Sequence, residues 1–552
     1  MSPQPDVTPT PDAAATAFVG GRVFTADPTR PWATAIAVAG ERIIAVGSDD
    51  EVRSAAQSAV VEDLSGALVV PGFIDGHFHT FMAGEALGRV DLELADDLAA
   101  IQAALAAHAS ARPDDEWVLG RGWLFDAVPE RAPTAAMLDV VVPDRPVLLD
   151  SADYHFAWLN TLGLQRVGVD VDTPDPVGGE VVRDQRTGAA TGLLAETAAH
   201  EYAWTLMARQ RTDDVRRNHL RAMQSAAHAA GLTGVIDMGL DDVEAALLAA
   251  AADEGWLTLS VVGHYFIDRH GDTADHLSQV RRAAELVAEH GAGRFRVAGI
   301  KVVVDGTIDG CTAHVSQPYT TGRLADPIWD LDALVPVVVA ADAAGLQVAL
   351  HAIGDAAVSH ALTAIAEARR VNGTTGRRHR IEHIEYMDPS EVGRFVDLGV
   401  TASMQPVHAD PAIADNWIAM LGEPRGSQGF RWADMVTAGV RLAFGTDAPT
   451  APYAPLPNMY IAATRRSALN PSLPVGRGAD QVRSLEESLV HATADVAWSC
   501  FDEGRRGRLA PGLLADFVVV EPDVLDQPAD ELLTAGIRRT VASGRVVHQV
   551  SS

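Results

Sequence analysis

The stretch PGFIDGHFHT, residues 71–80, carries the reading that decides the fold. An apolar run ends in two histidines, His77 and His79, two positions apart. In an extended chain residues i and i+2 share a face, so the two imidazoles stand side by side where the strand runs out. Neutral imidazole is a common ligand for zinc and related ions. The pair alone is a weak signal, because two polar residues entering a loop would read the same way.

Seven further apolar stretches follow along the chain: GVIDMG, LTLSVVGHYF, RVAGIKVVVDG, QVALHAIGD, RHRIEHIEY, VTASMQP and RLAFGTDAP. Ala-rich helical segments such as DDVRRNHLRAMQSAAHAAG lie between most of them. Eight strands, each followed by helical sequence, predict an α/β fold, a TIM (β/α)8 barrel. An open doubly wound sheet is the alternative, since alternation does not show closure. Barrel enzymes build their sites at strand C-terminal ends. There His351 closes QVALH, His383 closes RHRIEH and Asp447 closes RLAFGTD. Lys301 sits inside an otherwise apolar strand. A lone buried lysine is costly, so it either reaches the surface, pairs with an aspartate or works in the site. A desolvated lysine loses its charge readily and can then take up carbon dioxide as a carbamate, an anionic ligand able to bridge two metals.

The flanks read differently. Short alternating segments with Gly-containing turns mark both ends, AFVGGRVFTAD and ALVVPG before the barrel, ADFVVVEPD and GIRRTVASGRVVHQV after it. They predict one composite β-sandwich from residues 16–70 and 505–552, bracketing a barrel over 71–504. Residues 1–15, rich in Pro, Thr and Asp, are expected to be a disordered tail. The first two barrel strands are too far apart for one helix. The Trp- and Pro-punctuated region of about 84–212 is therefore expected to be an inserted subdomain on the catalytic face.

The chain has 552 residues, 47% of them hydrophobic, and a net charge of -31. Such acidity argues against nucleic acid and anionic membrane as partners. No run of 18 apolar residues predicts a membrane span. Two cysteines, Cys311 and Cys500, make no disulfide framework or Cys-x-x-Cys site, and the expected compartment is a reducing cytoplasm. A homodimer is the expected assembly, as the commonest closed one.

The constellation resembles the amidohydrolase superfamily, and within it amidohydrolase family 3, the branch of YtcJ-like proteins and N-substituted formamide deformylase. The matching pieces run in order over nearly the whole chain: PGFIDGHFHT, RGW at residues 121–123, TGLLAE ending in Glu196, IKVVVDGT, ALHAIGD, RIEHIEY, SMQP, FGTDAP and RGRLAPGLLADFVVVEPD. The resemblance implies a metal-dependent hydrolase acting on non-peptide carbon–nitrogen bonds. It implies one or two divalent ions, zinc before iron or manganese, held by His77, His79, His351, His383 and Asp447, with Lys301 carboxylated where two ions bind. Asp447 would act as general base and acid, His155 would face the substrate, and the metal or His155 would stabilise the oxyanion. Trp123, Tyr154, Cys311 and Gln405 are the candidate substrate-binding residues. Two departures concern the substrate: DGTIDGCT places Cys311 where the family often has arginine, and Tyr154 stands where glycine is usual before the histidine. Glu382, next to His383 in a strand, is expected on the opposite face as a structural residue, and Asp75, on the face of His77, as a turn or cap residue, with orientation of an imidazole as the alternative. A lactonase or esterase, a lyase or isomerase on the same metal, and a non-catalytic small-molecule binder remain as alternatives.

Overall fold

A computed structural model describes residues 15–210, 212–414 and 416–550. The expected tail therefore lies almost wholly outside the described residues. The eight barrel strands are β1 (Phe73–Phe78), β2 (Leu232–Leu240), β3 (Ser260–Phe266), β4 (Phe295–Val303), β5 (Gln347–Ala352), β6 (Arg380–His383), β7 (Thr401–Met404) and β8 (Leu442–Phe444). They pair in parallel in chain order. The two edge strands meet through the chain just beyond them. Asp447 N donates to His77 O at 2.8 Å and His79 N to Ala448 O at 3.0 Å. The sheet thus closes into a barrel, and the open-sheet alternative falls.

Two glycines permit that closure. A Cβ on Gly76 would lie 2.6 Å from Phe444 O, and one on Gly445 would lie 2.5 Å from His77 N. Only a residue without a side chain allows β1 and β8 this close. Inside, the floor is apolar: Ile74, Ile236, Met238, Val262, Ala349 and Ala443 pack on Val496, Ala497 and Cys500 of a segment that plugs the bottom. Above the floor the interior turns polar, with Lys301, Arg380, Glu382 and Ser403 each at most 2% exposed. The outer helices begin at side-chain caps such as Asp241 and Asp330, which accept from the free amides of the first turn.

The six-stranded sheet beside the barrel joins both ends of the chain, in the order Arg545–Gln549, Gly536–Ala542, Phe517–Glu521, Leu68–Pro71, Arg22–Phe24, Trp32–Ala33. A four-stranded sheet of Thr16–Val19, Ala35–Ala39, Arg42–Gly47 and Val60–Asp63 packs on it through Phe18, Ile36, Val69 and Phe517. Between β1 and β2 a second six-stranded sheet runs from Val90–Asp91 to Ala190–Glu196. Its own core holds Trp123, Phe125, Phe156 and Trp158. No helix among the described residues is long and apolar enough to cross a membrane.

Candidate metal centre

The end of β1 delivers His77 and His79 to the barrel mouth, and the turn after β8 delivers Asp447 between them. His77 Nε2 stands 3.2 Å from Asp447 Oδ1, and His79 Nε2 stands 3.1 Å from the same oxygen. Lys301 Nζ, rising from β4, lies 3.2 Å from His77 Nε2. The His383 ring packs against those of His77 and His351 at centroid distances of 4.7 and 4.4 Å. All six residues expected as ligands are thus gathered at one end of the barrel.

The hydrogen bonds around His77 test whether a cation fits. Its Nδ1 lies 2.7 Å from Glu382 Oε2. Burial, with the Lys301 charge added, holds His77 below the usual imidazole range, so the ring is neutral and has one N–H. Glu382 accepts that proton. The Nε2 lone pair then faces the Lys301 amine on one side and an Asp447 oxygen on the other, and between Nε2 and that oxygen, both acceptors, there is no proton. A divalent cation among His77, His79 and Asp447 removes that conflict, and the ligand atoms of the three lie within 4.8 Å of one another. The residues fit a metal.

Glu382 is the main departure from the sequence reading. It points into the barrel, not away. Its charge is held by Arg380, whose Nε donates to Oε1 at 2.5 Å and Nη2 to Oε2 at 3.0 Å. Burial opposes ionisation, but Arg380 and His77 outweigh it and keep Glu382 well below the usual carboxylate range. Strand alternation then predicts His383 on the outer face. His383 and Ile384 instead adopt φ of 75° and 52°, and the chain leaves the pleat. Two successive residues reach the same site because the backbone turns between them. Asp75 takes the turn role: its oxygens accept from the His77 and Thr446 amides and the Thr446 hydroxyl.

Burial pulls the Lys301 ammonium down to about 8 against the pull of Glu382 and Asp447. That brings the neutral, carbamate-forming amine within reach near physiological pH. His351 turns Nε2 toward Gly306 O at 3.5 Å and Asp305 Oδ1 at 3.7 Å. Burial holds it and His383 well below the usual imidazole range. Both are neutral and available as donors to a metal.

His155 comes from the inserted sheet. Strand Phe156–Leu159 pairs antiparallel with Ala190–Glu196, and this register sets His155 beside Glu196, with Nδ1 and Oε2 2.6 Å apart. Burial would lower the His155 pKa, but Glu196 overrides it and raises it to about 9, so the ring is cationic. It stacks obliquely on His351 at 5.4 Å and is thereby aimed at the centre. A second dyad stands opposite: His408 Nδ1 is 2.8 Å from Glu385 Oε1, and His408 Nε2 is 3.9 Å from Asp447 Oδ2. His383, Glu385 and His408 form a second cluster with metal-ligand geometry. Sequence reasoning marked Glu196 as the end of a matching motif but gave it no role, and it missed His408, whose signal was its place just after SMQP.

The four candidate substrate contacts fare differently. Trp123 is fully buried in the core of the insert, donates Nε1 to Leu149 O and packs on Trp158, so it has no substrate-facing surface. Gln405 is 1% exposed, and its Oε1 accepts from His383 Nδ1 at 2.9 Å; it orients an imidazole instead of lining an open pocket. Tyr154, at φ 55°, is buried, and the charges of Arg89, Asp150, Arg121 and Glu85 act on its hydroxyl. Cys311 is half-buried, with Sγ 3.3 Å from Met420 Sδ, and Arg131 of the insert reaches the neighbouring Asp309.

Comparison with known proteins gives the family. The model of the amidohydrolase family matches residues 60–548. N-substituted formamide deformylase of Arthrobacter pascens is 29% identical over 548 residues, covering 96% of this chain and 97% of its own. Protein LONG AFTER FAR-RED 3 of Arabidopsis thaliana is 29% identical over 546 residues, covering 96% and 90%. The crystal structure of an uncharacterized metal-dependent hydrolase from Pyrococcus furiosus superposes with a TM-score of 0.71 at 25% identity, covering 93% of this chain and 100% of that one. Barrel, donor set and family match coincide, and the chain belongs to the amidohydrolase family of metal-dependent hydrolases.

Proposed function

We propose that the protein hydrolyses a non-peptide carbon–nitrogen bond of a small amide-like substrate. The observation that carries this reading is the His77 lone pair facing Asp447 beside His79, a gap that calls for a divalent cation. Zinc suits these nitrogen and oxygen donors, and iron or manganese would also be accepted. When bound, the ion supplies acidified water and polarises the substrate carbonyl. Asp447 takes the proton of the attacking water and hands it to the leaving nitrogen. His155, kept cationic by Glu196, donates to the developing oxyanion from the side of the insert. Gln405 and Glu382 fix the tautomers of His383 and His77, so that each presents Nε2 to the centre. Lys301, carboxylated, would admit a second ion beside His351 and His383. The relative named a formamide deformylase supports the bond type.

The test is chelated protein reconstituted with zinc, manganese or iron and offered N-acyl, formamide, ureido, cyclic amide, lactone and ester substrates in 18O-water. Metal-dependent turnover with one labelled oxygen in the carboxyl product is expected. Lactone or ester hydrolysis with every amide inert would overturn the bond assignment, and failure to bind metal would overturn the centre.

A further inference from the structure

Arg465 is a buried cation that the proposed chemistry leaves unused. Arg465 follows the helix Pro455–Thr464 at φ 55° and is 2% exposed. Its guanidinium stacks over the Trp432 ring at 3.8 Å and donates Nη2 to Phe430 O at 2.6 Å. Nε is buried without an acceptor. Among the described residues no carboxylate pairs with Arg465; Asp480 acts on it only from farther away. Stacking on an indole and lying at a helix C-terminus explain where the guanidinium sits. Neither neutralises it, and a buried charge without an ionic partner is costly. Burial accordingly pulls Arg465 down to about 9.

The side chain lines a cleft walled by Pro411, Trp417, Phe430 and a second guanidinium, Arg477, which donates Nη1 to Gly426 O at 3.0 Å. The free interior is about 20 Å³, room for one water or one small ion. We propose that this cleft is a site for a monatomic anion, a halide such as chloride, held by Arg465. The site also reaches the chemistry by one short path. Phe430 N donates to Glu385 O at 2.7 Å, and Glu385 holds His408. The occupant would therefore stiffen the wall that carries His408.

Thermal unfolding of the full chain in chloride and in gluconate at matched ionic strength tests this. A saturable rise in Tm of about 2 °C is expected in chloride alone, with a bromide anomalous peak within hydrogen-bond distance of Arg465 in crystals grown in bromide. Arg465→Met should abolish the chloride response. Because that variant could fail to fold, the bromide experiment on the unmodified protein decides by itself. A Tm that follows ionic strength only, or no bromide at Arg465, would overturn the site. An equal saturable response to acetate would overturn its monatomic character.

Discussion

At the scale of single residues, the centre depends on which nitrogen of each imidazole keeps its proton. His77 and His383 each spend Nδ1–H on an acceptor, Glu382 and Gln405 respectively, and this leaves Nε2 for the centre. Glu382 does so from a fully buried position, held by Arg380. Replacing it removes the charge but keeps the shape. We expect Glu382→Gln to weaken metal affinity roughly 10–100-fold, measured by competition with a chromogenic chelator, with turnover returning at saturating metal. Turnover still lost at full metal occupancy would mean that Glu382 does more than orient His77. The role of Glu382 was not legible in the sequence. Alternation assigns it and His383 to opposite faces, and only the positive φ at His383 cancels the rule.

At the scale of elements, the insert and the barrel share one site, so the joint between them matters. Arg89, after the helix Thr80–Ala86, pairs with Asp150 of the insert strand Val147–Ser151 and donates Nη2 to Glu85 at 2.8 Å. Asp150 also accepts from Trp204 Nε1 at 2.7 Å. Both charges are buried, 6% and 1% exposed. Removing Asp150 leaves the buried Arg89 with Glu85 as its remaining counter-charge. We expect Asp150→Ala to cost about 3–5 kcal/mol, read by urea unfolding. Because Asp150 lies five residues before His155, kcat should fall more than metal content. A change within the error of unfolding measurements would show that Glu85 alone satisfies Arg89. The existence of the insert was legible from strand spacing, since a loop that long needs structure of its own. Its contents were misread at Trp123, because an aromatic residue that fills a core and one that lines a pocket look alike in sequence.

At the scale of the whole molecule, buried carboxylates set the response to acid. Asp342, on the helix Leu331–Ala343, is fully buried and accepts from Asn372 at 2.8 Å, Thr374 at 2.6 Å and His379 at 3.1 Å. Burial works against its charge, but His379, Thr374 and Asn372 outweigh that and hold it well below the usual carboxylate range. A depressed folded pKa stabilises the fold above the unfolded value near 3.8 and loses that contribution as pH falls through the folded one. We expect Asp342→Asn to cost about 1–3 kcal/mol near neutral pH and to flatten the acid limb of stability below about pH 4. Denaturant midpoints across pH would check both; an acid limb of unchanged slope would assign the acid sensitivity to other carboxylates.

The sequence by itself determined the strand count, the order of the polar strand ends and the acidic balance of the chain. Those features are local, because apolar runs and the residues that stop them are visible one segment at a time. It marked His77, His79, Lys301, His351, His383 and Asp447 for the same reason: each breaks or ends an apolar run. Tertiary structure alone decided that β1 and β8 close on Gly76 and Gly445, which lets Asp447 reach His77. It alone joined His155 to Glu196 and His408 to Glu385 across 41 and 23 residues. It alone left Arg465 in a cleft without a carboxylate partner among the described residues. Pairings of that kind depend on how separate elements pack, and side-chain identities carry no record of distance.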